Sequence, residues 1–400
     1  MKKKRIFISA HYMEIGGAEI SLVGLLQAID YSKYDVDLFL NRHSGELMQF
    51  IPKEVNLLPE IKAYADVEKP LIPVFFSSSW RIGLVRLWSK YKTWRYCKAH
   101  NNIAEKVNIF FSFFEPLSIK YLPSLYKYGE YDLAANFIGN VGIIKDKVKA
   151  RKRVSWIHND YSSNSANQKK NSLSRADYLI SISSATTEAY VSVYPEAQGR
   201  ILTIENILSP AFVRKRGESE ECKDIKKGKN EIILLSIGRF SYQKNYDNLP
   251  FILKGIRERG VNAKWYIIGF GGDEALIRQR ISEAGMEDHV IILGKKSNPY
   301  PYIKACDWYV QPSRYEGKSV TVREAQMLCK PVIITNYVTA KSQVTDGVDG
   351  VIVPMDNEGC AEAMAKVLTD QKLHQSISQY LQAHDYGNED EIEKFYKLID

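Results

Sequence analysis

Short apolar runs with the character of β-strands recur along the whole chain, and most of them are separated by segments with helical periodicity. The runs fall at residues 4–10, 34–40, 133–137, 153–157, 178–182, 232–237, 263–268, 290–293, 308–310, 331–335 and 351–353. Strands that alternate with helices in this way form parallel sheets covered by helices on both faces. The sequence therefore predicts an α/β protein with doubly wound parallel sheets.

The length of the chain predicts more than one domain. At about 100–200 residues per domain, 400 residues suggest two. A charged stretch without periodicity, residues 214–230, is typical of an exposed linker or a long surface loop between them. Because open α/β sheets bind ligands at the carboxyl ends of their strands, two such domains would place a binding cleft between two sheet edges.

Positive charge is concentrated in the first half of the chain. Residues 1–210 hold 28 Lys and Arg against 20 Asp and Glu, whereas residues 211–400 hold 27 of each kind. A basic half can face a nucleic acid, an anionic membrane or an acidic substrate, and it can equally be a solvated surface. No apolar run approaches the ~18 residues that span a bilayer. Five cysteines without a CxxC pair favour a reducing compartment, so we expect a cytoplasmic protein.

Two glycine-containing turns follow strand-like runs and are candidate phosphate sites. Gly16 and Gly17 precede a helical segment whose first N–H groups and dipole favour an anion, although a plain turn explains the pair as well. Gly238 and Arg239 follow a strand-like run in the second half, and Lys244 lies shortly after them. Two cations at the end of a strand could hold a diphosphate, or they could lie on a solvated basic turn.

Two acidic residues and a histidine complete the candidates. Glu316 precedes a helical segment, and Glu324 lies eight residues further on, within it. If Ser319 caps that helix, the amides of the loop face the cleft and the Glu324 carboxylate can accept hydrogen bonds from both hydroxyls of a ribose. A capped surface helix with two exposed acids is the alternative. His158 closes the run 153–157, where a neutral imidazole can hydrogen-bond a sugar hydroxyl or simply cap the strand.

The order of these features resembles that of the retaining glycosyltransferases of family 4, especially bacterial enzymes of capsule, exopolysaccharide or lipopolysaccharide assembly. The matching elements are IGGAE at 15–19, WIHND at 156–160, Gly238-Arg239 with Lys244, and the Glu316-x7-Glu324 spacing. The resemblance covers essentially the whole chain. It implies the GT-B fold, in which two Rossmann-like doubly wound domains face each other across a cleft. The acceptor-binding domain would be 1–208 and the nucleotide-sugar-binding domain 209–375, with a C-terminal helix in 376–400 crossing back to the first domain.

The resemblance also implies roles for individual residues. Gly16 and Gly17 would approach the donor phosphates from the first domain. Arg239 and Lys244 would bind the diphosphate and stabilise the charge that develops as it leaves. Glu316 would lie near the donor sugar, and in the family's front-side mechanism the leaving phosphate itself takes the acceptor proton.

The remaining positions would complete the donor site. Glu324 would bind the ribose, and the amides of Ser319 and Val320 would add donors to the phosphates. His158 would contact the sugar at the reacting face. Lys318 stands where the family usually has an apolar residue, so it could add a cation near the donor or point to solvent. Two further glycines would line the nucleotide-sugar site, Gly238 and Gly269.

Most members of the family need no metal for catalysis, and the sequence has neither an HExxH nor a paired CxxC pattern. We therefore expect a nucleotide-sugar donor, a UDP-sugar by family precedent, with a glycan or polyprenyl-linked acceptor, no cofactor and no metal. A non-catalytic GT-B subunit that binds a partner transferase or a nucleotide sugar is the alternative, but it should have lost part of the Arg239, Lys244, Glu316 and Glu324 set. A nucleic-acid-binding protein would need an RNA or DNA module, and none is recognisable.

Residues 80–98, from Trp80 to Lys98, form a basic segment rich in aromatic residues, and no acidic residue occurs from 70 to 104. If this segment is helical, its basic and aromatic residues are typical of a helix that lies in a membrane interface. Such a helix would bind anionic lipid on the inner face of the cell membrane. A core helix whose aromatic residues pack inward is the alternative. On either interpretation Arg86 and Lys90 should be exposed. Wound as a helix, one face would carry Trp80, Leu84, Leu87, Trp88, Tyr91 and Trp94.

Overall fold

The computed structural model of the protein describes residues 3–100, 106–158 and 176–399. The chain forms two compact units, the first made of residues 1–207 together with 388–400 and the second of residues 208–387. Each unit is built on its own parallel sheet. The α/β class predicted from the alternation of strands and helices is confirmed.

The first unit contains a seven-stranded parallel sheet with the strand order β3-β2-β1-β4-β5-β6-β7. Its strands are β1 Lys4–Ala10, β2 Tyr34–Leu40, β3 Asn56–Leu57, β4 Glu130–Asn136, β5 Lys149–Ile157, β6 Tyr178–Ser181 and β7 Ile201–Thr203. Its helices before the second unit are α1 Gly17–Ala28, α2 Lys62–Glu68, α3 Leu71–Phe75, α4 Trp80–His100, α5 Lys106–Ser118 and α6 Ser184–Val193.

The second unit contains a six-stranded parallel sheet with the order β10-β9-β8-β11-β12-β13. Its strands are β8 Ile232–Ile237, β9 Ala263–Ile268, β10 Val290–Gly294, β11 Trp308–Gln311, β12 Val332–Thr335 and β13 Val351–Val353. Its helices are α7 Pro210–Glu218, α8 Leu249–Glu258, α9 Glu274–Ala284, α10 Tyr300–Ala305, α11 Val320–Met327, α12 Asn357–Thr369 and α13 Gln371–Ala383.

Both sheets are buried on their two faces. In β1, Ile6, Phe7 and Ile8 are fully buried, so consecutive residues pack on opposite sides of the sheet. In the second unit, Trp265 of β9 and Trp308 of β11 belong to one apolar core. Burial on both faces explains why these strands are continuous apolar runs rather than alternating ones.

The segment 214–230 differs from the expected linker. Its first five residues are the end of α7, whose preceding Ser209 accepts a hydrogen bond from the Phe212 N–H at 3.4 Å. The segment also lies inside the second unit, because the division between the units falls after residue 207. The prediction of a linker between domains at this position is wrong. After α7 ends at Glu218, the rest of the segment is a mostly exposed surface loop of the second unit, which is the other interpretation.

The end of the chain returns to the first unit at Asn388, after α13. An expected boundary at residue 375 divides α13, whose Ile377 and Leu381 belong to the core of the second unit. The last helix, α14 Ile392–Ile399, packs in the first unit. There the Tyr396 ring stacks on Tyr34 with centroids 4.5 Å apart.

Helix α4 exposes the apolar face that a core helix would bury. Its aromatic face is exposed, at 44% to 57% for its six large side chains, so the alternative in which they pack inward is wrong. Arg86 was expected to be exposed, but it is partly buried and donates hydrogen bonds to the carbonyls of Val67 and Lys69. Helix α4 buries two apolar residues, Ile82 and Val85. The other residues that it buries are small or polar, namely Gly83, Ser89, Thr93 and Cys97.

Candidate active site

Two glycines bring the carboxyl ends of β8 and β9 into close contact in the second unit. The Gly238 N–H donates to the Ile268 carbonyl at 3.0 Å. A Cβ on Gly269 would lie 1.9 Å from the carbonyl oxygen of Gly238, so no side chain fits there. The structure thus places Gly238 and Gly269 side by side at the sheet edge.

Lys244 and Glu316 form an ion pair at this edge. The Lys244 Nζ lies 2.6 Å from the Glu316 Oε1, and the two side chains are 16% and 7% exposed. The Lys244 side chain also lies against Gly238, since a Cβ added to Gly238 would be 3.0 Å from the Lys244 Cε. Two candidate residues that are 72 positions apart in the chain are therefore brought together.

The Glu316 carboxylate is the centre of a hydrogen-bond network. Its Oε1 accepts from the Ser313 hydroxyl at 2.7 Å and from the Gln311 amide at 3.3 Å, and its Oε2 accepts from the Gln243 amide at 3.1 Å. With Lys244, four side chains hold this carboxylate in one orientation. Such a group is preorganised, because its position does not depend on a ligand.

Arg239 differs from Lys244 in its surroundings. Its side chain is exposed, whereas Lys244 is mostly enclosed. Both lie in the loop after β8, Arg239 two residues after the end of the strand and Lys244 at the end of a short helical turn. The edge therefore offers one fixed cation and one that can adjust to an anion.

A second ion pair, which the sequence did not single out, supports the same loop. The Arg314 guanidinium binds the Asp247 carboxylate with both nitrogens, at 2.9 and 2.7 Å, and lies 4.0 Å from the centre of the Tyr242 ring. The backbone N–H of Arg314 also donates a hydrogen bond to the Gln243 carbonyl at 2.8 Å. This bidentate pair fixes the turn that carries Lys244 to the loop that carries Glu316.

Glu324 is buried rather than exposed. It is 1% exposed, and its Oε1 accepts a hydrogen bond from the Tyr300 hydroxyl at 2.6 Å. Burial raises the pKa of Glu324 to about 7, against the opposing effects of Tyr300 and Arg216. The alternative of an exposed surface acid is therefore wrong for this residue, and Tyr300 already occupies one of its oxygens.

The start of α11 is also more enclosed than the sequence suggested. Ser319 stands at the N-cap position, but its side chain makes no capping hydrogen bond. Its N–H donates to the Gln343 Oε1 at 3.1 Å, so a phosphate would have to displace Gln343 to reach this amide. Val320 is the first helical residue, so its N–H has no acceptor within the helix. Lys318 is partly buried just before them.

In the first unit, Gly16 and Gly17 begin α1 directly after the loop that follows β1. Gly16 is the N-cap residue and Gly17 the first helical residue. A Cβ on Gly17 would meet nothing within 4 Å, whereas one on Gly16 would lie 2.2 Å from the Glu19 carboxylate. The surface at Gly17 is therefore open to a ligand.

His158 follows β5 in the first unit. Its Nε2 donates a hydrogen bond to the Phe137 carbonyl at 2.8 Å, and burial lowers its pKa to about 4. The imidazole is therefore neutral at physiological pH, and its Nδ1 can accept a hydrogen bond from a hydroxyl group. Asn159 and Asp160, the end of the WIHND motif, lie outside the described residues.

A further polar cluster in the first unit was missed by the sequence analysis. The His11 Nδ1 lies 2.6 Å from the Glu68 Oε1, and the Asn41 amide donates to the same oxygen at 3.2 Å. Burial disfavours the charged imidazole, but the Glu68 carboxylate outweighs it, and the pKa of His11 is raised. His11 directly follows β1, so the rule that selected His158 could also have found it. Its partner Glu68 is 57 residues away.

Within residues 3–100, 106–158 and 176–399, three or more His, Cys, Asp or Glu side chains do not come together in a group that could hold a metal ion. Over the same ranges, no helix is long and apolar enough to cross a membrane. The charged side chains described above at the edge of the second sheet are those of Lys244, Arg239 and Glu316.

Residues 218–384 match the model of the family described as Glycosyl transferases group 1. The matched range contains the Lys244–Glu316 network and both sheet-edge glycines. The match covers most of the second unit, which is made of residues 208–387.

Curated relatives include proteins named as glycosyltransferases. The chain is 25% identical over 169 residues to the amylovoran biosynthesis glycosyltransferase AmsD of Erwinia amylovora, covering 42% of this chain and 47% of that protein. It is 31% identical over 116 residues to an uncharacterized glycosyltransferase of Methanocaldococcus jannaschii, covering 29% of each. The matches span less than half the length of these relatives.

Solved structures resemble the chain over nearly its whole length. HepE of Anabaena in complex with UDP-glucose matches with a TM-score of 0.63 and 16% identity, covering 98% of this chain and 99% of that one. TarM matches with a TM-score of 0.66 and 13% identity, covering 100% and 99%. At these identities the likeness shows the fold alone, and the fold is GT-B, which confirms the fold that the sequence resemblance implied.

Proposed function

We propose that this protein is a retaining, metal-independent glycosyltransferase that moves a sugar from a nucleotide-diphosphate sugar to a bacterial surface glycan. The observation that carries the proposal is the Lys244–Glu316 pair, in the loops after β8 and β11 of the range that matches the group 1 family model, with Arg239 in the same loop as Lys244. Two cations there suit the diphosphate of a donor, because they stabilise the charge that appears when the diphosphate leaves.

The proposed reaction is a front-side displacement. The bond from the anomeric carbon to the diphosphate oxygen breaks, and the bond to the acceptor oxygen forms on the same face of the sugar. The acceptor proton passes to the departing phosphate oxygen, so no protein base is required. Lys244 and Arg239 would bind the diphosphate, Glu316 would hold Lys244 beside the donor sugar, and Glu324 would bind the ribose.

The donor and acceptor are proposed by analogy. HepE is described with UDP-glucose, which supports a UDP-sugar. A relative from Campylobacter jejuni, 27% identical over 145 residues, acts by its name on a diphospho-undecaprenol-linked sugar. We therefore propose a growing, lipid-linked glycan as the acceptor and a cytoplasmic location at the inner face of the membrane.

A donor screen tests the proposal. Nucleotide release would be measured from UDP-, GDP- and ADP-sugars, with and without a polyprenyl-diphosphate-linked acceptor, and the anomeric configuration of the product would be read by NMR. We expect release from one UDP-sugar and an α-linked product from an α-linked donor. An inverted product would refute retention, and silence across the whole panel would favour a non-catalytic GT-B subunit.

The same assay tests the absence of a metal. Because Lys244 and Arg239 already supply positive charge, activity is expected to persist in excess EDTA. Loss of activity in EDTA that is restored by Mg²⁺ or Mn²⁺ would contradict the proposed metal-independent reaction.

A further inference from the structure

Helix α4 carries most of its large apolar residues on the side that faces away from the rest of the first unit. Its inward side contains Ile82 and Val85, and otherwise only small residues, which allow neighbouring elements to approach closely. At Gly83, for example, an added Cβ would lie 3.3 Å from the Phe75 ring of α3. A water-soluble helix normally buries its apolar stripe, so this arrangement needs an explanation.

The tryptophans show the inversion most clearly. The chain has six, and Trp156, Trp265 and Trp308 are at most 5% exposed. The other three, Trp80, Trp88 and Trp94, all lie on α4 and are 47%, 45% and 57% exposed. Every exposed tryptophan of the protein therefore lies on one face of one helix.

Each of these tryptophans has a cation beside its ring. The Arg81 Cζ lies 5.5 Å from the centre of the Trp80 ring. The Lys92 Nζ lies 5.0 Å from that of Trp88, and the Lys98 Nζ 5.4 Å from that of Trp94. Lys90 and Arg95 on the same helix are exposed as well. Since no acidic residue occurs from 70 to 104, the positive charge of this face is not neutralised within its own segment.

From this combination we infer that the outward face of α4 is a docking surface for an anionic lipid bilayer. The face is defined by Trp80, Leu84, Leu87, Trp88, Tyr91 and Trp94. Tryptophan and tyrosine rings favour the boundary between headgroups and acyl chains, and the cations beside them would meet lipid phosphates. The inference names the surface that would hold the enzyme at the membrane location proposed above, and it rests on that proposal only for the identity of the acceptor.

A second copy of the chain fits this face less well. A twofold interface would place the same basic patch on both sides, and charged residues are depleted at the centre of such interfaces. An anionic bilayer instead complements the charge and accepts the aromatic rings. Each Lys or Arg near such a surface strengthens binding about fivefold.

The experiment uses the whole protein without donor or acceptor, so its result does not depend on the transferase reaction. Vesicles of phosphatidylcholine with phosphatidylglycerol are added at low ionic strength, and tryptophan emission, acrylamide quenching and co-sedimentation are measured. We expect a blue shift, protection from quenching and co-sedimentation. All three should weaken with added salt and with pure phosphatidylcholine vesicles.

A charge variant and a matched control locate the surface. Lys90→Glu with Arg95→Glu keeps all three reporter tryptophans and should weaken vesicle binding by at least about 25-fold. Lys254→Glu with Lys372→Glu makes the same change in net charge at exposed positions of the second unit and should bind like wild type. Both variants are expected to melt like wild type, because the replaced side chains are exposed. Arg86 is left unchanged, since it holds the carbonyls of Val67 and Lys69.

Four outcomes would overturn the inference. The first is wild-type protein that ignores anionic vesicles, and the second is sedimentation without any change in tryptophan emission. The third is a blue shift that depends on protein concentration without vesicles, which would identify a second copy as the occupant. Protection by a soluble anionic polysaccharide but not by vesicles would assign the face to a glycan.

Discussion

At the residue scale, the two cations after β8 are not equivalent. Arg239 is exposed, so Arg239→Ala is expected to lower kcat/KM by about 10²-fold or more while leaving the melting temperature unchanged. Lys244→Ala should cause a similar kinetic loss and also lower the melting temperature, because Glu316 is then left enclosed without its cation. Steady-state kinetics and thermal melts of both variants check this.

A double variant separates binding from stability at Lys244. Lys244→Ala combined with Glu316→Gln removes the buried charge together with its partner, and it should regain part of the melting temperature without regaining activity. Full turnover in Arg239→Ala or in Lys244→Ala would exclude the replaced cation from the diphosphate site.

Glu324 gives the stability of the protein a pH dependence. Its pKa is about 7 in the folded protein, above its ordinary value of 4.5. At this residue the folded state therefore binds more protons than the unfolded chain, so the contribution of Glu324 to stability is greatest below pH 4.5, falls up to about pH 7 and then levels off. The difference is worth about 3 kcal/mol. Glu324→Gln carries no such penalty, so urea unfolding should find it close to wild type at about pH 5 and more stable at about pH 8.

The same substitution tests the role of Glu324 toward the ribose. A contact remote from the reacting carbon binds ground state and transition state alike, so Glu324→Gln should raise the KM for the donor more than it lowers kcat. A lower kcat with unchanged donor KM would instead place Glu324 in the chemical step.

At the scale of single elements, the sequence predicted the positions of the strands better than it predicted which side of a helix is buried. The run 34–40, which alternates apolar and polar residues, coincides with β2. The run 232–237 coincides with β8, because a strand buried on both faces is a nearly continuous apolar run. The two-residue β3 and the three-residue β7 were missed. Length alone does not explain this for β7, because β13 is equally short and was predicted. Helix α4 was expected at the correct place, but the side it buries depends on α3 and α5, which periodicity does not include.

Long-range pairs account for what the sequence could not predict at the site. Glu316 could be selected by its spacing to Glu324, but its contact with Lys244 joins loops 72 residues apart. The Arg314–Asp247 pair joins two loops in the same way and has no motif. The resemblance to a family supplied candidate residues, whereas their burial and hydrogen-bond partners required the fold.

The turn before α1 offers a test of its proposed contact with phosphates. A Cβ on Gly17 meets no atom within 4 Å, and alanine favours helices over glycine by up to about 1 kcal/mol. Gly17→Ala should therefore fold as well as wild type. If this turn approaches the donor, the added methyl group should still lower kcat/KM several-fold, as measured by nucleotide release. Unchanged activity with an unchanged melting temperature would remove Gly17 from the phosphate site.

At the scale of the whole molecule, the chain leaves the first unit after residue 207 and re-enters it at residue 388. The first unit is therefore completed only by the end of the chain. Length and the repeated strand–helix pattern were enough to predict two doubly wound domains. The position of the return was not, because only packing assigns α13 to the second unit and α14 to the first.

This discontinuity predicts that a lesion in α14 acts mainly on the first unit. Phe395 is fully buried, with its ring centroid 5.6 Å from that of Trp156, and the Tyr396 hydroxyl accepts the Asp30 N–H at 2.7 Å. Phe395→Ala should cost about 3–5 kcal/mol. Hydrogen exchange should then show faster exchange in the strands of the first sheet, while those of the second sheet keep their protection.

Lys397 provides the matched control for that experiment. It lies on the same helix but is exposed, so Lys397→Ala should leave exchange in both sheets unchanged. If Phe395→Ala instead accelerated exchange equally in both sheets, the two units would unfold as one cooperative structure, and the returning helix would stabilise the whole chain. Protection lost only in the first sheet would show that α14 contributes to that unit as its last packed layer, since its buried contacts are with strands and helices that precede residue 207.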